Sequence, residues 1–204
     1  MAITTYAELQ TAVDNWLHRS NTAARVQEMI VLAEADIRRS VRARDMETTA
    51  DLTISSQRTS LPTGFVGYRR LYIDGDPVQQ LTFMPPENFW RKWVSSQTGK
   101  PTSFTIEEDD VVVGPAPDAT YTGKQLYFRL QALTASVVPS LFTNHPDLYL
   151  FGTLIQSQHF YGPDSRIAGW SQQYAAIMQS IRHSNIRDRM GTGPYEAHTD
   201  VGNP

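Results

Sequence analysis

The stretch PDLYLFGTLI, residues 146–155, decides the predicted fold. Pro146 and Asp147 suit the first turn of a helix, where proline is tolerated. From Leu148 to Ile155 the side chains are apolar on nearly every side, which indicates a helix buried all round. Such a helix belongs at the centre of a helical assembly, so the sequence should contain other helices that cover it.

Two predicted helices precede this stretch and one follows it. Thr5–Glu8 has the form of a capping box and opens a helix over about residues 5–19. A second helix over about 23–44 places Val26, Ile30, Ile37 and other apolar residues on one face, and forms a helical hairpin with the first. After the break at Gly162–Asp164, apolar residues from Ile167 to Ile181 indicate an amphipathic last helix.

The middle of the chain has the patterns of β-structure. Alternation around Ala50, Leu52 and Ile54 predicts a half-buried strand. Residues 69–73 and 78–81 read as a hairpin around the turn at 74–77. Further segments complete the prediction: a short helix from Pro85 to Trp93 and strands at 104–106, 111–113 and 126–130.

The predicted fold class is therefore α+β. The helix pairs at residues 1–47 and 140–186 form a bundle, and a β-rich domain with one short helix, residues 48–139, is inserted between them. Residues 187–204 form an extended C-terminal tail that is rich in glycine and proline. Because such a segment cannot bury enough surface to order itself, we expect a partner to bind it, with contacts from Arg187, Arg189, Met190 and Tyr195.

Composition excludes several classes of protein. The 204 residues are 40% apolar and 19% charged, with a net charge of −3 and only three lysines, Lys92, Lys100 and Lys124, which does not suggest a strongly basic nucleic-acid binder. The absence of cysteine excludes disulfides, thiolate nucleophiles and sulfur-ligated zinc. With no apolar run of about 18 residues and no signal peptide, we expect a soluble protein made in the cytoplasm, without membrane contact.

No catalytic or cofactor motif is present in the sequence. The histidines at 18, 145, 159, 183 and 198 form no HExxH pair, and there is no phosphate-binding loop, dinucleotide fingerprint or nucleophile elbow. The sequence therefore predicts a non-enzymatic protein without a cofactor, a metal or catalytic residues.

Two charged clusters are candidate interaction sites. Glu107, Glu108, Asp109 and Asp110 favour a solvated hairpin tip over a calcium or magnesium site, since no glycine turns the ligands inward; arginines of a neighbouring subunit could relieve their repulsion. Arg38, Arg39, Arg42 and Arg44 occupy the last two turns of the second helix, where cations complement the helix dipole. Pairing between subunits is favoured for them over direct DNA binding.

The order and spacing of several segments resemble the head-to-tail adaptor proteins of tailed bacteriophages. The resemblance runs over residues 3–185 and rests on the following segments: Tyr6–Gln10, Trp16–Arg19, Leu32–Arg39, Arg44–Thr49, Leu61–Phe65, Arg70–Gly75, Gly99–Phe104, Gly114–Pro117 and His145–Gly152. The tail beyond Asn185 is not part of the matched pattern.

The resemblance implies a structural virion protein in the neck, between capsid and tail, assembled in the host cytoplasm. It implies a closed homo-oligomeric ring, most often of twelve copies, that binds the portal protein and a tail or nozzle protein. Genomic DNA would pass through the lumen without sequence-specific binding. Another neck component, such as a stopper or a tail-completion protein, is the main alternative, and a small enzyme or DNA-binding module is the other.

Overall fold

A computed structural model describes residues 3–19, 23–93 and 97–190. The predicted α+β class is confirmed. The elements follow one another in the order α1 (Tyr6–Leu17), α2 (Ala23–Ser40), a 3-10 helix (Arg44–Met46), β1 (Glu47–Ile54), β2 (Arg58–Ser60), β3 (Phe65–Ile73), β4 (Gln79–Gln80), β5 (Thr82–Phe83), α3 (Pro86–Lys92), β6 (Ser103–Glu107), β7 (Asp110–Gly114), β8 (Tyr121–Arg129), α4 (Ser140–Asn144), α5 (Pro146–Gln156), α6 (Gln158–Tyr161) and α7 (Ile167–Met190).

The chain divides into two compact units. The helical unit contains the described residues up to Arg44 and from His145 onward, and the β unit contains Asp45–Asn144. The sequence-based boundaries at residues 47/48 and 139/140 lie close to these, and the difference at the second boundary is α4, which the sequence analysis placed with the helices.

Helix α5 is the centre of the helical unit. Leu148, Tyr149, Leu150 and Leu154 are buried, and α5 packs against α1, α2 and α7, as the apolar run predicted. Gly152 makes this packing close, because a Cβ atom there would lie 3.2 Å from the Tyr174 ring on α7 and 3.4 Å from Ala33 Cβ on α2. A helix covered on three sides in this way holds segments from both ends of the chain together.

The N-terminus of α1 has the predicted capping box. The Glu8 amide donates to Thr5 Oγ1 at 3.2 Å, and Glu8 Oε2 accepts from the Thr5 amide at 3.0 Å. These two bonds satisfy donors that would otherwise have no partner in the first turn. At the other end of α1, the C-cap residue His18 has a left-handed backbone conformation with φ of 52°.

The prediction that the second helix reaches residue 44 is wrong, since α2 ends at Ser40. Val41 and Ala43 are both buried, while Arg42 and Arg44 are exposed. Side chains two residues apart lie on nearly opposite sides of a helix, so one helix face could not bury both Val41 and Ala43. The chain therefore leaves the helix after Ser40 so that both apolar side chains can reach the interior.

The predicted extended tail is also wrong at its beginning, since α7 continues through Met190. Arg187, Arg189 and Met190 are thus helical, not extended. The glycines and prolines that lower the helix propensity of residues 187–204 begin only at Gly191. In addition, Asn185 Nδ2 donates to the Arg42 carbonyl at 2.7 Å, which anchors the last turns of α7. Tyr195 lies outside the described residues.

The β unit has two four-stranded sheets. Their strand orders are β1-β8-β3-β4 and β2-β7-β6-β5, and all pairs are antiparallel except β5 with β6. One core joins side chains from both sheets: Leu52, Ile54, Leu71, Ile73, Leu81, Phe104, Val111 and Val113. The predicted strands and the short helix all have counterparts here, whereas β2 and β5 were not predicted, and α4 was predicted only as part of the helical segment from residue 140.

We expect Gly114→Ala to destabilise the protein by about 1–3 kcal/mol, because an added methyl group overpacks this site. Its Cβ would lie 2.4–2.8 Å from three atoms of the Trp93 ring, and that ring donates to Ser103 Oγ at 3.0 Å. The matched control is Gly169→Ala in α7, where nothing lies within 4 Å of the new atom and alanine should be neutral or stabilising by up to about 1 kcal/mol. Urea unfolding measures both; equal midpoints would contradict the packing described.

Candidate functional site

Most of the arginines predicted at the end of α2 have hydrogen-bond or ionic partners within the chain. Arg42 Nη1 donates to the carbonyls of Arg38 at 2.7 Å and Val41 at 2.6 Å, so it caps the carboxyl end of α2. Arg39 Nη2 lies 3.5 Å from Asp36 Oδ1, with 70% of its side chain exposed. The dipole explanation therefore applies to Arg38 and Arg39, which lie in the last turn. Arg44 is exposed and begins the 3-10 helix.

The four acidic residues form the tip of the β6–β7 hairpin, as predicted. Glu107 lies opposite Asp110 in the antiparallel register, and Glu108 turns the chain with φ of 54°. Like charges placed directly opposite each other destabilise a strand pair. The tip therefore needs a cation to relieve the repulsion between Glu107 and Asp110.

Arg58 on β2 supplies that cation from the same chain. Its Nη2 lies 2.6 Å from Glu107 Oε2, and its Nη1 lies 3.9 Å from Asp110 Oδ2. Trp90 Nε1 also donates to Glu107, and Ser60 Oγ lies 3.2 Å from Asp110 Oδ1. A neighbouring subunit is thus not required to neutralise these two carboxylates. In the part of the chain that the structure describes, Glu108 and Asp109 are exposed and have no ion pair.

The structure brings together a cationic group of residues that the sequence analysis did not single out. The guanidinium carbon of Arg19 lies 4.3 Å from the centroid of the Tyr161 ring, and that of Arg25 lies 5.8 Å from it. We call these three residues the tyrosine–arginine site. Both arginine side chains are exposed, and across the described ranges neither forms an ion pair. Cations gain electrostatic energy over an aromatic face.

A third arginine beside this site has all its main contacts within the chain. Arg166 Nη2 lies 2.7 Å from Asp164 Oδ2, its Nη1 donates to the Trp16 carbonyl at 2.7 Å, and its guanidinium stacks 5.0 Å from the Trp170 ring centroid. The hydrogen bonds from Arg166 lower the pKa of Asp164 from 3.8 to about 2. Arg19 lowers this pKa further by charge alone, so it lies within electrostatic range of Asp164.

Trp16, whose carbonyl accepts from Arg166, also presents an exposed aromatic surface. Its ring packs edge-on against Phe151 with centroids 5.7 Å apart, and 44% of the residue is exposed. Trp, Tyr and Arg together are the residue types that dominate the energetic centres of protein interfaces. The sequence could not reveal this group, because Arg19 and Tyr161 are far apart in the chain and meet only through the packing of α1 on α5.

Each unit has a concave surface among its described residues. A polar cleft of about 130 Å³ in the β unit is lined by residues of 45–48, 129–131 and 139–141. An open groove follows the exposed face of α7 and includes His183 and Arg187. Among the residues described, no three His, Asp or Glu side chains are placed to hold a metal ion.

Among the described segments, no helix combines the length and the apolar character that crossing a membrane would need.

The SU10 adaptor protein family model matches residues 4–197, which is nearly the whole chain. The protein therefore belongs to the SU10 adaptor protein family, and the resemblance to phage head-to-tail adaptors is confirmed. The match extends past Asn185, where the sequence analysis placed its limit. No curated protein in the comparison matches the chain.

Membership of this family makes the protein a phage structural adaptor and a virion component. An adaptor acts by binding other proteins through its surface and does not transform a substrate. The tyrosine–arginine site and the acidic hairpin tip are the charged surfaces of the described chain that best suit such a function.

We expect Arg166→Ala to raise the pKa of the Asp164 carboxyl from about 2 toward its ordinary value of 3.8, because its main hydrogen-bond donor is removed. Because the pKa of Asp164 is lower in the folded than in the unfolded chain, the ionised carboxylate stabilises the fold when the pH is above the unfolded pKa of about 4. This stabilisation is lost as the pH falls toward 2. Carboxyl carbon NMR titration measures the change. Arg25→Ala is the control, because Arg25 is not among the causes of the shift; an equal rise in both variants would contradict the assignment.

Proposed function

We propose that this protein is a head-to-tail adaptor that forms a closed ring, of about twelve copies, between the portal and the tail of a phage particle. The match to the SU10 adaptor protein family over residues 4–197 is the observation that carries this proposal. In it, the ring binds the portal on one side and a tail or nozzle protein on the other, and genomic DNA passes through its lumen. The protein assembles into the neck in the host cytoplasm.

Ring formation requires two different surfaces on each chain that fit each other, because copies in a closed ring meet head to tail. Each unit offers exposed apolar side chains that suit such surfaces. In the helical unit these are Trp16, Val31 and Leu32 on α1 and α2, and Ile186 near the end of α7. In the β unit they are Val78, Phe83, Trp90 and Val138.

Passage of DNA favours a lumen that does not hold phosphates. Each cation that binds a phosphate releases a counterion, so a strongly basic lumen would retain the DNA. The chain has a net charge of −3 and only three lysines. Several arginines, such as Arg42, Arg58 and Arg166, already donate to acceptors of the same chain. This charge distribution supports a conduit without sequence-specific DNA binding.

The end of the chain is proposed to bind the portal or a neighbouring adaptor. Arg187 is exposed on α7, and the backbones of Arg189 and Met190 are helical. Residues 191–204, including Tyr195, lie outside the described residues. In this proposal the arginines bind carboxylates, while Met190 and Tyr195 occupy small apolar pockets.

The position of the protein in the particle tests the adaptor proposal. Cryo-electron microscopy of purified particles should show the chain as a ring of about twelve copies in direct contact with the portal. On denaturing gels of the particles, the number of copies of this protein per particle should equal the number of copies of the portal protein. A ring separated from the portal by another protein would indicate a stopper, and absence from particles would exclude a virion role.

Removal of residues 191–204 tests the role of the chain end while leaving α7 whole. We expect binding to purified portal to weaken at least tenfold, measured by surface plasmon resonance, while circular dichroism stays unchanged. The control is the double variant Arg187→Ala and Arg189→Ala in the full-length chain, which removes only charge and should weaken binding less. Unchanged portal affinity after truncation would show that the end of the chain does not bind there.

A further inference from the structure

The charges that folding leaves without partners indicate where two copies of the chain meet. At the hairpin tip, Arg58 neutralises Glu107 and Asp110, and the adjacent Glu108 and Asp109 point to solvent. At the end of α2, Arg42 and Arg39 have acceptors within the chain. Ion pairs between the arginines at the end of α2 in one copy and the acidic tip of another would therefore compete with these contacts within the chain.

Within the described residues, the tyrosine–arginine site places two cations without an ion pair over one aromatic ring. Arg19 and Arg25 both lie over the Tyr161 ring at 4.3 and 5.8 Å, and in the described ranges neither has an ion pair. Arg19 lowers the pKa of Asp164, but this carboxylate already forms an ion pair with Arg166 at 2.7 Å. Asp164 is therefore paired with Arg166, and the charges of Arg19 and Arg25 lie over the Tyr161 ring.

The geometry points to a carboxylate pair as the ligand of this site. A guanidinium that lies over an aromatic ring and has no ion pair keeps N–H groups free to donate, and those groups match the two oxygens of a carboxylate. Two guanidiniums over the same ring suit two neighbouring carboxylates. In the described part of the chain, Glu108 and Asp109 are the adjacent pair of exposed carboxylates that lack an ion pair.

We propose that the tyrosine–arginine site of one copy binds the Glu108–Asp109 tip of the next copy, with Trp16 forming the apolar border of the contact. This proposal rests on the ring proposed above, because a closed ring needs one surface of each kind on every chain. The tip is suited to the contact because Arg58 and the β-strand pairs hold the hairpin in one conformation before binding, which lowers the entropy lost on association.

Site-directed crosslinking tests this contact, and the absence of cysteine from the natural chain makes it specific. Particles or portal-bound assemblies are prepared from the double variant Arg25→Cys with Asp109→Cys. A short bismaleimide is used, since an ion pair between these side chains separates their Cα atoms beyond the roughly 7 Å limit of a disulfide. We expect a ladder of covalent multimers on a denaturing gel.

The matched control combines Arg25→Cys with Glu87→Cys, an exposed carboxylate position on α3 of the same unit as the tip. It should give at least tenfold less multimer. A second test reverses the charges. Assembly should fall at least tenfold with Arg19→Glu and Arg25→Glu, and again with Glu108→Lys and Asp109→Lys, and should return when all four changes are combined.

The possible outcomes separate this inference from the ring proposal itself. A ring seen by microscopy without the ladder and without rescue by the combined reversal would overturn the proposed contact and leave the ring intact. If Arg19→Glu with Arg25→Glu instead lowers affinity for duplex DNA in a binding assay, and the tip variant does not, the site binds phosphates and the proposal is wrong. Absence of any ring would contradict the proposed function.

Discussion

Burial of α5 on several sides is the constraint on which the helical unit depends. Complete burial of a leucine side chain contributes about 1.5–3 kcal/mol, and Leu148, Leu150 and Leu154 all lie in the interior. This gain requires α1, α2 and α7 together, and these helices come from opposite ends of the chain. The segment between them cannot join that core, so residues 45–144 form a second core from two sheets.

The same packing determines which charges can act on other molecules. Where α2 ends, Arg42 turns back to bind the carbonyls of the last turn; where β6 meets β7, Arg58 crosses from β2 to the two opposed carboxylates. These contacts satisfy groups that the fold itself places close together. Arg19 and Arg25 remain exposed and have no ion pair within the described ranges, so their N–H groups are accessible to other molecules.

The sequence predicted elements whose signal is local. The capping box at Thr5, the apolar run of α5 and the hairpin tip at 107–110 were each predicted from neighbouring residues, and the structure confirms them. The errors arose where a distant contact overrides a local pattern. Burial of Val41 and Ala43 ends α2 early, and the bond from Asn185 to the Arg42 carbonyl extends α7 into the segment predicted as tail.

The candidate site was harder to predict than the fold for the same reason. Arg39 and Arg42 belong to a cluster that is visible in the sequence, so they were predicted as an interaction site. At the end of a helix, however, such residues also find acceptors within the chain. Arg19 follows α1, Arg25 lies near the start of α2, and Tyr161 ends α6, so no local pattern joins them. Likewise Arg58 lies on β2, a strand of three residues that the sequence analysis did not identify.

An interface made of such groups would also explain why an adaptor could assemble only where it is needed. Exposed ion pairs contribute about 0–1 kcal/mol each, whereas association costs at least about 4 kcal/mol in lost translational and rotational freedom. One contact of this kind cannot hold two free copies together. Copies already bound to a common platform have lost most of that freedom, so the same weak contact then suffices. Closure of the proposed ring gives the two end copies their second contact, so every copy of the completed ring is held on both sides, which a partial ring does not achieve.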